Sequence, residues 1–198
     1  TGRSSKPDEP YTVDMMAADS AELLENIGIK HAHVMGFSMG GIITQAFGIN
    51  YPKKTLSLVL CGTQPGGLHR ISSDPEVQMD LALIANPLPE MTERDRTVKL
   101  LYLLYSDDYV EANLEALIKD ETYSDYPTPD YALMRQSGAI AGFDSYDKLP
   151  EISFPVLVMA GMDDVLVPPG NSEILAERLP KAELVRLPNC GHGFLKQK

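Results

Sequence analysis

The sequence predicts an α/β domain built on a parallel sheet. Three short, nearly continuous apolar runs, at 32–37, 55–61 and 155–160, read as buried strands, the first of them on both faces, and 182–187 reads as a fourth strand. Amphipathic helical patterns alternate with them, and strand, helix and strand between residues 32 and 61 fill the length of a βαβ unit. A long stretch between the second and third runs is helical throughout, which reads as an insertion into the sheet domain.

In chain order, the Gly-, Ser-, Pro- and charge-rich start, Thr1 to Pro10, is loop. Thr12 is the expected N-cap of a helix whose stripe is Met16, Ala17, Ser20, Leu23, Leu24 and Ile27, and Gly28 ends it. The first strand runs into Gly36-Phe37-Ser38-Met39-Gly40-Gly41, and a helix with Ile42, Ile43, Ala46 and Phe47 on its apolar face starts at once. Gly40 and Gly41 are expected to let that helix sit close on the sheet. A serine on such a strand-to-helix turn is pushed out of regular structure with its hydroxyl exposed.

Thr55 to Cys61 is the second strand, and Gln64 to Gly67 is loop. Helices are expected at 75–85, 92–105, 107–119 and 129–141. Within this insertion Met79, Met91, Tyr102, Tyr105, Tyr109 and Met134 read as internal core in preference to a ligand pocket. The third strand ends in Gly161-Met162-Asp163-Asp164. A helix from Asn171 to Leu179, with Asn171 as N-cap, precedes the last strand, which ends in Pro188-Asn189-Cys190-Gly191-His192-Gly193. The expected segments are therefore 1–65, first part of the core; 66–148, helical cap; and 149–198, second part of the core.

Composition narrows the function. A chain of 198 residues that is 43% apolar reads as globular, and a net charge of −11 with no basic cluster argues against nucleic acid as partner. Cys61 and Cys190 lack metal-like spacing with the four histidines and read as packing residues. With no membrane span and no signal-like start, a cytoplasmic location is expected. His31 and His33 read as scaffold, and His69 lies in the loop entering the insertion.

Three loops at the carboxyl ends of predicted parallel strands thus carry Ser38, an aspartate at 163 or 164, and His192. Catalytic groups of open α/β sheets gather on that edge. A serine hydroxyl needs a base at neutral pH, imidazole suits that task, and a carboxylate fixes the imidazole tautomer and stabilises the imidazolium.

The order Ser, Asp, His is that of the α/β-hydrolases, and the three motifs resemble that family's nucleophile elbow, acid loop and histidine loop. The chain is most similar to its enol-lactonase and carboxylesterase members. The resemblance implies a parallel-sheet α/β-hydrolase core with an inserted helical cap. In the family pattern the acid stands three residues after the glycine that ends the strand, which selects Asp164. Ser38 is then the nucleophile, His192 the base and the Met39 backbone N–H an oxyanion donor, with no cofactor or metal and a small ester or lactone as substrate. Serine at the elbow excludes the alkyl-ester chemistry of haloalkane dehalogenases and epoxide hydrolases, which place aspartate there. Acyl transfer, carbon-carbon bond hydrolysis and a non-catalytic receptor are the rival readings. Measured against the family pattern, the sequence starts after the first strands and stops soon after the histidine. The expectation is therefore an internal fragment that lacks the second oxyanion donor, exposes an apolar strand edge, and is poorly soluble and nearly inactive alone.

Overall fold

A computed structural model describes residues 2–122 and 126–198. The elements in order are α1 (Val13–Asn26), β1 (Ala32–Phe37), α2 (Met39–Asn50), β2 (Thr55–Cys61), α3 (Pro75–Ala85), α4 (Glu93–Leu104), α5 (Asp107–Thr122), α6 (Asp130–Ala141), β3 (Val156–Gly161), α7 (Gly170–Arg178), β4 (Ala182–Leu187) and α8 (Phe194–Gln197). Contacts divide the chain into two units. The first takes the described residues of 1–71, 126–159 and 170–185, and the second those of 72–125, 160–169 and 186–198.

In the first unit the strands lie in the order β1-β2-β3-β4. β1 pairs parallel with β2, with Val34 opposite Leu58 and Phe37 opposite Cys61, and β2 pairs parallel with β3, with Leu58 opposite Val156. The expected parallel sheet is therefore present. Leu58 and Leu60 of β2 and Val156 and Val158 of β3 alternate onto one face, where they pack with Leu149, Ile152, Leu175 and Leu179. A second cluster joins Val13, Ala17 and Ala21 of α1 to Ile42, Ala46 and Phe47 of α2 and Ala139 of α6.

Two expectations about burial need correction. α1 is capped by Thr12, whose hydroxyl accepts from the Met15 N–H, as predicted, but it buries Val13, Ala17 and Ala21. Leu23 and Ile27, placed on the buried stripe by helical spacing, are each 59% exposed. The small alanines admit α2 closely, and Met16 and Leu24 flank that contact partly buried, which leaves Leu23 and Ile27 outside it. Nor is β1 buried on both faces, since His33 is exposed and Met35 is 56% exposed. Among the described residues β1 lies at the sheet edge with β2 as its neighbour, and a strand's own apolar run does not encode how many neighbours it has.

Asn171 is not the cap of α7 but lies inside it, fully buried. Its side-chain amide accepts from the Ile71 N–H and donates to the Ile71 carbonyl, both at 2.8 Å, so it pairs with both backbone groups of one residue as a neighbouring strand would.

In the second unit Leu101 and Tyr105 of α4 and its C-terminal cap pack with Val110 and Leu117 of α5. Arg94 and Glu115 form a two-pronged ion pair between the same helices. Of the six Met and Tyr residues expected inside the insertion, Tyr105 is buried and Tyr109 packs against it, whereas Met79, Tyr102 and Met134 are exposed. No helix among the described residues is long and apolar enough to cross a membrane.

The glycines after Ser38 are not equivalent. A Cβ on Gly41 would lie 2.6 Å from Thr63 Cβ, while one on Gly40 would meet nothing among the described residues within 4 Å. Only Gly41 is thus needed for close approach. Gly41→Ala is expected to cost about 1–3 kcal/mol in urea unfolding followed by circular dichroism, and Gly40→Ala less than about 1 kcal/mol. Equal midpoints for the two variants would show that Thr63 yields to a methyl group.

Candidate active site

Ser38 joins β1 to α2 with φ 54° and ψ −118°, a region that side chains other than glycine rarely adopt. Its N–H donates to the Cys61 carbonyl at 2.9 Å, one step past the last β1–β2 register pair. Its carbonyl accepts from the Gly41 and Ile42 N–H groups, which start α2, and from the Thr63 hydroxyl at 2.8 Å. Gly36 is required because a Cβ there would collide with the Gly40 carbonyl and the Thr44 hydroxyl. Met39 is the first residue of α2, a position whose N–H has no acceptor within its own helix.

Gln45 locks this helix from its buried side. Its amide nitrogen donates to the Gly41 and Gln64 carbonyls at 3.2 and 3.0 Å, and its oxygen accepts from the Ser145 hydroxyl at 2.8 Å.

The other two candidate residues belong to the second unit. Asp164 is 4% exposed; its Oδ1 accepts from the Leu166 and Val167 N–H groups at 3.0 and 2.8 Å. Its Oδ2 lies 2.7 Å from Nδ1 of His192, which is also 4% exposed. A carboxylate accepts here, so Nδ1 carries the proton and the imidazole lone pair belongs to Nε2. Asp163 contributes only its backbone, donating from N–H to the Cys190 carbonyl, and its side chain is exposed. Spacing alone left 163 and 164 open; the geometry gives the histidine contact to Asp164.

The loop carrying His192 is held by α4. The Gly193 N–H donates to the Leu104 carbonyl at 2.6 Å, and a Cβ on Gly193 would strike the Tyr105 ring. Gln197 accepts from the Gly191 N–H and donates to the Ser106 hydroxyl, both at 2.9 Å. Asn189, at φ 55°, turns the chain into this loop in a conformation asparagine tolerates.

Thr63, Gln45 and Gln197 are the polar residues that sequence reasoning missed. Gln45 left one legible signal, a polar residue within the apolar pattern of α2. Of the remaining histidines, His33 meets Ser57 Oγ at 2.6 Å and His69 stacks on Tyr146, and no group of three or more potential ligands among the described residues could hold a metal ion.

The comparisons with known proteins agree with this architecture. A model of the alpha/beta hydrolase fold matches residues 1–198, and the chain belongs to the α/β-hydrolase family of enzymes. A protein of Caulobacter segnis named "Putative carbamate hydrolase RutD" is 32% identical over 98% of this chain and 72% of its own length. The protein of the same name from Pseudomonas savastanoi is 34% identical, over 98% and 73%. Among solved structures, the enol-lactonase of Burkholderia xenovorans superposes with a TM-score of 0.77 at 26% identity, covering 96% of this chain and 70% of that one.

Burial pushes the Cys61 thiol up to about 11. The folded state thus favours the neutral thiol. Its contribution to stability is complete below the ordinary value of 9.0 and is lost as pH rises from there through about 11. Iodoacetamide at mildly alkaline pH, followed by peptide mass mapping, is expected to spare Cys61 in the folded chain and modify it in concentrated guanidinium. Rapid alkylation of the folded chain would contradict this.

Proposed function

We propose that the chain is a serine hydrolase cleaving a carboxylic ester or lactone through an acyl-enzyme. Ser38 attacks the carbonyl carbon, His192 Nε2 takes the hydroxyl proton and passes it to the leaving group, and Asp164 holds the imidazole in the tautomer that makes Nε2 the base. Water, activated by His192 in turn, releases the acid and restores the serine. The Met39 N–H is the oxyanion donor supplied by these residues. Residues 66–148 act as the cap that shapes the acyl site, and the reaction runs in the cytoplasm without cofactor or metal.

The observation that carries this reading is the 2.7 Å contact between His192 Nδ1 and Asp164 Oδ2, in which the other carboxylate oxygen is already held by two backbone N–H groups. A carboxylate so anchored has one task left, to orient the ring. The serine in its strained turn supplies a nucleophile whose chemistry needs such a base.

A carbamate is the second substrate reading, favoured by the name of the relatives from Caulobacter and Pseudomonas. The chemistry differs only in that the intermediate is a carbamoyl-enzyme. Turnover of an enol lactone, a p-nitrophenyl ester and a simple carbamate, compared by kcat/KM, separates the two.

Labelling by a fluorophosphonate probe tests the mechanism. It is expected in the unsubstituted protein and absent in Ser38→Ala and His192→Ala. Asp164→Asn, which keeps an acceptor for the backbone but misdirects the imidazole tautomer, is expected to lower kcat by about 10⁴. Labelling that persists in Ser38→Ala would remove the serine from its role.

A further inference from the structure

We propose that Thr63 is a positioning residue for this reaction, fixing the Ser38–Met39 peptide so that its N–H is aimed and polarised as an oxyanion donor. The inference rests on the proposed role of Ser38 as nucleophile and adds a residue to it.

A residue's φ and ψ are set by where its own N–H and its own carbonyl point. At Ser38 both groups are held by the chain leaving β2. The N–H is held by the Cys61 carbonyl at 2.9 Å, and the carbonyl, which also accepts from the Gly41 and Ile42 N–H groups of α2, by the Thr63 hydroxyl at 2.8 Å. Between them Gly62 takes φ 51°, which turns the chain so that residues two apart reach the two ends of one serine. Thr63 is 1% exposed, so its hydroxyl makes this bond away from water, and its Cβ, Cγ2 and Oγ1 lie 2.6–2.8 Å from where a Gly41 Cβ would stand. The threonine is therefore seated on the first turn of α2 and has little freedom to turn elsewhere.

The Ser38 carbonyl and the Met39 N–H belong to one planar trans peptide and point in opposite directions. Holding the carbonyl from behind therefore aims the N–H in front. A hydrogen bond accepted by a peptide carbonyl also draws charge through the peptide and makes its N–H a stronger donor, an effect enlarged where water is excluded. The gain is greatest when negative charge develops on the substrate oxygen, so it belongs to the transition state more than to the bound substrate.

The test uses p-nitrophenyl butyrate as substrate and phenylboronic acid as the tetrahedral mimic. Thr63→Val, nearly isosteric but without the hydroxyl, is expected to lower kcat about tenfold with KM within about twofold, and to weaken boronate inhibition in parallel. Thr63→Ser, which restores the donor, is expected to recover both to within about threefold. A purely structural role would lower the melting temperature and the titrated fraction of active sites instead. Thr63→Ala carries the same comparison should the valine variant not fold. Met39's amide proton reads the contact without turnover: its NMR resonance is expected to move upfield in Thr63→Val and to stay in Thr63→Ser. Unchanged kcat and boronate inhibition in Thr63→Val, or an unmoved Met39 resonance, overturn the inference. Turnover that survives Ser38→Ala overturns the proposed function instead.

Discussion

Ser38 keeps its backbone at φ 54°, ψ −118°, and much of the first unit is arranged around the tolerance of that conformation. Such a residue costs on the order of 1–3 kcal/mol and persists only when its surroundings over-determine it. Here they do so through the Cys61 carbonyl, the first turn of α2 and the Thr63 hydroxyl, all on the backbone of one residue. The turn is sharp enough to drive α2 straight back over β1. From this follow the absent side chain at Gly36, the close seat of Thr63 on Gly41, and a helix whose buried face meets the alanines of α1.

The acid and histidine loops are built by different means. No backbone strain is needed at Asp164, which is a hub of acceptors: two N–H groups of its own loop on one oxygen and the imidazole on the other. The carboxylate is thereby fully used while almost buried, the condition under which a buried acid is tolerated. Charge orients the histidine, and backbone geometry orients the serine.

The sheet, its four strands to within a residue and most of the helices were legible because apolar runs and helical periods are local properties. The positions of Ser38, Asp164 and His192 on loops after β1, β3 and β4 were legible for the same reason, since each ends an apolar run with glycine nearby. What escaped was relational. The stripe read for α1 includes Ala17, Met16 and Leu24, which do pack on α2, but it also takes in the exposed Leu23 and Ile27 and omits Val13 and Ala21, because helical spacing alone does not fix where a neighbour presses closest. Burial of β1 depends on neighbours outside its own residues. Thr63 and Ser38 are 25 residues apart, and Asn171 and Ile71 are 100 apart, so no spacing announces those bonds. Asp163 and Asp164 are alike in composition and spacing, so the family pattern is what selects Asp164 in the sequence, and the turn that exposes one and buries the other is the physical difference between them.

The histidine loop rests on the C-terminal end of α4, through Leu104, Tyr105 and Ser106. The helical stretch between β2 and β3 thus also seats the imidazole loop. Sequence change in that stretch is then constrained at one end. Its distal turns are free to drift, but the last turn of α4 must keep a carbonyl for Gly193 and a flat ring beneath it. Replacing that turn would disturb the seat of His192, whatever else it changed.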